Sequence, residues 1–237
     1  MYRDPICVTY WWSKSKNEIN KNTRYDHFQK KEIHPLTFYE TTEQLKHDVT
    51  SKGLEFFSKR ISNGDYQSNI NFKPRFIKDC LIKFKRPVIY MDNDLRMYKK
   101  PVIFTNKKNI DIDFMALNWN KTKKERFETA GPLFYFNYTK SSLRLLDEWI
   151  YLTRLPQHKG KADDRLLAMV FVMRKAHTWC IYKWLDNTYL YFPAYFNDIP
   201  KSKVVICHPY FSTSEDEAYK LGASKNRIPQ GYDKIVR

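Results

Sequence analysis

Two carboxylates one residue apart, Asp92 and Asp94, close the sequence Val88-Ile89-Tyr90-Met91-Asp92-Asn93-Asp94. The four residues before them are apolar or aromatic and read as a buried strand, so the pair is delivered where the chain leaves a sheet. In open α/β sheets the ligand crevice lies outside the carboxyl ends of the strands. Two neighbouring acids repel and raise each other's pKa; a divalent cation removes that cost. Mg²⁺ and Mn²⁺ take hard oxygen donors, one or two carboxylates with phosphate oxygens and water completing the set. The spacing and context therefore predict a metal–diphosphate site. Asp111-Ile112-Asp113 has the same spacing but follows the polar run 105–109 instead of a buried strand. It reads as a loop-to-strand junction and serves as an internal control.

The elements needed to position such a site are legible in part. Ile6 to Trp12 is β-branched and aromatic and predicts a first strand. The polar stretch Asn17 to Pro35 reads as a long loop or insertion. Thr41-x-x-Gln44 looks like a capping box, opening a helix whose apolar positions would be Leu45, Val49, Phe57 and Ile61. Pro74 suits the first turn of a second helix, with Ile77, Cys80, Leu81 and Phe84 on one face. Strands are expected at Pro87–Met91, Phe114–Trp119, Leu133–Tyr138, Tyr189–Phe192 and Val204–Cys207. Helices are expected at Ser142–Arg154 and Asp163–Arg174, the latter with acids in its first turn, where the helix dipole favours them. Alternation of this kind predicts an α/β fold. A chain of 237 residues suits one large domain or two small ones.

Composition bounds the function classes. The net charge is +16, spread along the chain, which favours anionic partners: nucleic acid, an anionic membrane or a phosphorylated small molecule. The longest clear apolar run, Leu166 to Met173, is too short to cross a membrane, and the N-terminus lacks the pattern of a secretory signal, so a soluble, cytoplasmic protein is expected. The four cysteines form no CxxC pair. His177 with Cys180 and Cys207 with His208 could together bind zinc if the segments met; buried, unconnected cysteines are the plainer expectation. Aromatic residues make up 16 % of the chain, most of them expected in the core. Trp11, Trp12, Trp119 and Tyr195 are the candidates for stacking on a sugar or base.

The stretch Lys73-Pro74-Arg75-Phe76-Ile77, a helix, and then VIYMDND resembles the GT-A glycosyltransferases, metal-dependent enzymes that use nucleotide-sugars. Thr129-Ala130-Gly131-Pro132-Leu133-Phe134-Tyr135-Phe136-Asn137 is similar to their second signature, Leu143–Ile150 to a helix they carry, Asp163-Asp164-Arg165-Leu166-Leu167 to their acidic segment, and Val205-Ile206-Cys207-His208 to a late strand ending in a metal-binding histidine. The resemblance covers about residues 71–210 and departs at Thr129, where relatives often carry Asn.

It implies a single GT-A, Rossmann-like domain over 1–237 with a central, mixed but mostly parallel sheet flanked by helices. Residues 1–100 would form the nucleotide-binding half, 101–210 the acceptor and sugar half, and 211–237 a mobile tail. Asp94 would bind Mn²⁺ or Mg²⁺ directly, Asp92 the metal or the ribose, and His208 would be the third protein ligand, with Asn93 between the acids. Thr9 and Tyr10 would face the base, and Thr129 and Gly131 would line the sugar pocket. Asp163 and Asp164 would orient the sugar or take the acceptor's proton. Lys73 and Arg165 would neutralise diphosphate, and Lys225 and Arg227, near Gly222, would close over the donor. The implied reaction moves a sugar from a UDP- or GDP-sugar to a hydroxyl of a carbohydrate or glycosylated acceptor, with retention favoured over inversion. A basic nucleic-acid-binding protein or two-metal nuclease using the same acids is the alternative, and a catalytically silent copy of the fold is a third.

Overall fold

The structure, a computed structural model, describes residues 3–62, 64–119, 127–193 and 199–210. In chain order the strands are β1 (Ile6–Trp12), β2 (Tyr25–Asp26), β3 (Lys31–Glu32), β4 (Glu55–Ile61), β5 (Val88–Met91), β6 (Arg96–Met97), β7 (Phe114–Asn118), β8 (Thr129–Phe136), β9 (Tyr182–Leu185) and β10 (Ile206–Cys207). The α-helices are α1 (Phe38–Ser51), α2 (Tyr66–Asn71), α3 (Lys73–Phe84), α4 (Val102–Thr105), α5 (Lys140–Arg154) and α6 (Asp163–Met173). Six strands form one sheet in the order β4-β1-β5-β8-β7-β9. Only β8 runs against its neighbours; β4, β1 and β5 pair in parallel, as do β7 and β9. This is the expected mixed, mostly parallel α/β sheet.

Each central strand is buried on both faces, which is why β5 reads as an unbroken apolar run. Val88 and Tyr90 enter the core formed with α3, α5 and α6, among Phe76, Leu146, Trp149 and Leu167. Ile89 and Met91 enter the opposite core, among Leu45 and Val49 of α1 and Leu95, Met97 and Ile206 of the small β6–β10 layer. Packing on both sides thus fixes where β5 ends and which way each following residue faces.

The capping box lies one turn before the expected one. Thr37 Oγ1 accepts from Glu40 N at 3.1 Å, and Glu40 Oε2 accepts from Thr37 N at 2.7 Å. The helix also stops sooner: Gly53 at φ +73° lets the chain turn into β4, so Phe57 and Ile61 lie on a strand beside β1 and not on the helix. The segment 17–35 is not wholly loop. It contains the small β2–β3 hairpin and packs on the end of the chain's described part, with His27 N donating to Pro209 O at 3.0 Å and the Phe28 ring 4.7 Å from that of Tyr98. β9 went unread in the sequence. The late strand expected at Val204–Cys207 shortens to β10, and Tyr189–Phe192 contributes a single bridge, Tyr191 to Cys207. Among the described residues no helix is long and apolar enough to cross a membrane.

Candidate functional site

Strand periodicity and one turn sort the two acids onto different sides of the sheet. Side chains alternate along a strand, so Asp92, two residues after Tyr90, continues on the helix-packed side. Asp92 N donates to Pro132 O of β8, extending the ladder by one step. The chain then turns, Leu95 N donating to Asp92 O, and Leu95 and Met97 enter the opposite core. Asn93 fastens the turn to α1 through Nδ2, 3.2 Å from Thr41 Oγ1 and 3.3 Å from Phe38 O.

Asp94 comes out beside His208. β6 pairs antiparallel with β10, Arg96 opposite Cys207, which places the residue after β10 next to the turn before β6. His208 Nε2 lies 3.6 Å from Asp94 Oδ1, with both side chains mostly buried. The imidazole stacks on Phe192 at 5.5 Å, and His208 N donates to Tyr191 O. The pairing of β6 with β10 is itself clamped: Asp48 of α1 takes Arg96 Nε and Nη2 at 2.6 and 3.1 Å and Met97 N at 3.1 Å.

Asp92 joins a second cluster. α3 and α6 both begin at this edge of the sheet, and their first residues are Lys73 and Asp163. Lys73 is 5 % exposed. Its ammonium lies 2.6 Å from Asp163 Oδ2 and 3.3 Å from Asp92 Oδ1, donates to Gly131 O at 3.0 Å, and sits 5.1 Å from the centre of the Tyr90 ring. Burial opposes its charge, but Asp163 and Asp92 outweigh burial and hold its pKa well above normal. Tyr90 OH donates to Asp92 Oδ1 at 2.6 Å; burial and that carboxylate keep the phenol protonated. Tyr90 is the residue the sequence reading missed. The signal was its place two before Asp92, on the same side of β5.

Asp164 faces the same cluster. Burial and the adjacent Asp163 carboxylate push its pKa up to about 7. Three carboxylates around one ammonium leave an excess of negative charge, so one acid holds its proton. Because the folded-state pKa is raised, the stabilisation from that proton is complete below the unfolded carboxylate value of about 4 and is lost as pH rises toward 7. The urea stability of the native chain, measured against Asp164→Asn, should therefore decline between about pH 4 and pH 8. A pH-independent difference would remove the raised pKa from the account.

The other expected site residues fall as follows. Gly131 abuts the acidic pair; a Cβ there would meet Asp164 Cβ at 3.5 Å, an ordinary contact. Thr129 Oγ1 donates to Asp164 O at 3.0 Å. Arg165 is exposed, and its backbone N–H donates to Asp164 Oδ1 at 2.7 Å. Lys73 is occupied by carboxylates and a carbonyl instead of standing ready for a phosphate. Thr9 is fully buried, and Tyr10 is buried with its hydroxyl donating to Asn69 O. Beyond β1 and β4, Ser13, Lys14, Arg60, Ile61 and Ser62 line a cleft of about 350 Å³. Arg60 lies over the Trp11 ring at 5.6 Å. Tyr195, Gly222, Lys225 and Arg227 lie outside the described residues, as does the whole tail 211–237.

The expected three-ligand set thus arrives as a pair, Asp94 with His208, while Asp92 is drawn to Lys73 and Tyr90. Among the described residues no three His, Cys, Asp or Glu side chains converge to hold an ion by themselves. That also disposes of the zinc reading: His177 Nδ1 engages Phe171 O at 2.7 Å, and all four cysteines are buried thiols. The control pair behaves as structure. Asp111 is exposed, whereas Asp113 is buried and accepts from Thr139 Oγ1 and Ile181 N.

No protein-family model matches the chain, and no curated protein matches it in sequence. Its structure is similar to solved ones. One is "a glycosyltransferase involved in the glycosylation of the major capsid of PBCV-1", with a TM-score of 0.58 at 13 % identity over 92 % of this chain and 98 % of that one. Another is the apo-form glycosyltransferase GlyE of Streptococcus pneumoniae TIGR4, with a TM-score of 0.55 at 12 % identity over 99 % of this chain and 65 % of that one. A third is mouse xyloside xylosyltransferase 1, with a TM-score of 0.50 at 11 % identity over 87 % of this chain and 97 % of that one. Likeness at these identities is likeness of fold: the chain has the α/β fold of these glycosyltransferases.

Proposed function

We propose that the protein is a glycosyltransferase that moves a sugar from a nucleoside-diphosphate donor, a UDP- or GDP-sugar, to a hydroxyl of a carbohydrate or glycosylated acceptor. The observation that carries this reading is the meeting of Asp94 and His208, remote in sequence, at the carboxyl end of β5 in a fold shared with glycosyltransferases. One carboxylate and one imidazole make an incomplete donor set, which suits Mn²⁺ or Mg²⁺ shared with the phosphates of a substrate. The pair would fit such an ion, while Asp92 stays with Lys73 and Tyr90. When bound, the ion neutralises charge developing on the departing diphosphate.

The chain's own residues supply the rest. The cleft around Ser13, Lys14 and Arg60 offers cations and hydroxyls to the nucleoside end of the donor. Lys73 holds Asp163 and Asp92 in fixed positions, so that their outer oxygens can orient hydroxyls of ribose and sugar without reorganising during the reaction. Gly131 lets the backbone approach the sugar. Asp164, its pKa raised by burial and by the Asp163 carboxylate, would take the proton of the acceptor hydroxyl. Resemblance of the motif set favours retention of configuration.

Thermal unfolding in the presence of UDP- and GDP-sugars, with and without Mn²⁺, tests the reading. One nucleotide should stabilise the chain only when the metal is present, by about 2.7 kcal/mol at a hundred times its Kd. Stabilisation by oligonucleotides alone, weakening with salt, would instead favour the nucleic-acid alternative.

A further inference from the structure

The opposite edge of the sheet carries a surface that sugar transfer does not use. There β7 begins between the end of β8 and the start of β9, Phe114 pairing with Phe136 and with Tyr182. The buried Asp113 binds these segments together. Its Oδ1 accepts from Thr139 Oγ1 at 2.5 Å and its Oδ2 from Ile181 N at 2.8 Å, while Asn137 Nδ2 donates to Ile110 O at 2.6 Å. The anchoring joins three segments that each carry an exposed apolar or aromatic side chain: Ile110 at 44 % exposure, Tyr138 at 40 % and Ile181 at 55 %. Exposed Lys107, Lys108, Lys140 and Lys175 lie in the same or adjoining turns, and Asp111 is the one exposed acid in the segments 107–111, 137–144 and 175–183.

Scattered exposed apolar residues are ordinary. Three on segments tied together through the buried Asp113 and through Asn137, flanked by four exposed lysines and a single exposed acid, Asp111, are a different arrangement. A polynucleotide would take up the lysines but leave both isoleucines in water. An anionic lipid surface satisfies both halves: acidic headgroups attract the lysines, and apolar side chains with an amphipathic tyrosine settle at the headgroup level. We propose that this edge docks on an anionic lipid surface, Ile110, Tyr138 and Ile181 entering the headgroup region among Lys107, Lys108, Lys140 and Lys175. The edge bearing Asp94 and His208 then faces away from the lipid. Docking does not depend on the transferase reading, and either can fail alone.

Co-sedimentation with vesicles tests it, using phosphatidylcholine alone and phosphatidylcholine with about one third phosphatidylserine. The chain should sediment with the anionic vesicles only, and less so in high salt. Ile181→Asp, and separately Lys107→Glu with Lys108→Glu, should each lower partitioning by roughly tenfold or more. All sit on exposed side chains, so the thermal midpoint should stay near that of the native chain. Failure to sediment with anionic vesicles would overturn the proposal, as would variants that partition like the native chain. So would salt-sensitive binding of oligonucleotides, lost in the same variants, without vesicle binding.

Discussion

Asp94→Ala should lower the proposed metal-dependent turnover by on the order of a thousandfold and leave the protein folded. A metal that neutralises a departing diphosphate contributes several kcal/mol to the transition state, and each 1.4 kcal/mol or so is a factor of ten in rate. The carboxylate's fold contribution is small by comparison. Among the described residues its polar partner is His208, at 3.6 Å, and the turn that carries it is held by Asn93, Leu95 N and the Arg96–Asp48 clamp. The stability change should stay within about 1 kcal/mol in urea unfolding. If Asp94→Ala unfolds the chain, the carboxylate is structural and the metal assignment fails. His208→Ala should follow Asp94→Ala in both measurements.

Lys73→Met has the opposite signature, a large loss of stability. The ammonium is buried with Asp163 and touches Asp92 as well. Removing one member of a buried ion pair leaves the other charge uncompensated, at a cost of about 3–5 kcal/mol. The pH dependence identifies the cause. Without Lys73 the neighbouring carboxylates have raised pKa values, so the variant gains on protonation and its deficit against the native chain should shrink as pH falls toward 4. Asp163→Asn added to Lys73→Met should recover part of the lost stability and none of the activity. A deficit that is small, or equal at pH 4 and pH 8, would mean that Lys73 is not what neutralises the cluster.

How far the fold could be read from residues follows from burial. β5 is covered on both sides, and α3, α5 and α6 each present a clear apolar face, so their sequences stand out. The edge strands β4 and β9 are half-exposed and mix charged with aromatic residues, which no single period describes. Phe57 and Ile61 fell in phase with the preceding helix by coincidence, and only the left-handed Gly53 shows where the helix ends.

The site was legible as a set of residues but not as a partition. Spacing after a buried strand singled out Asp92 and Asp94, and the motif resemblance added Asp163, Asp164 and His208. Spacing carried no information on which carboxylate Lys73 would claim, because that depends on two helix N-termini, those of α3 and α6, meeting on one side of the sheet at its edge. Nor could it show that two-residue strands, β6 and β10, would deliver Asp94 to His208.

The most direct measurement is a crystal of the protein soaked with Mn²⁺ and a nucleoside diphosphate, with the metal located by its anomalous signal. The account predicts one manganese bound by Asp94 and His208 together and sharing the diphosphate, with Asp92 still in contact with Lys73. Manganese bound elsewhere, or a nucleotide seated without an ion between those two side chains, would contradict it.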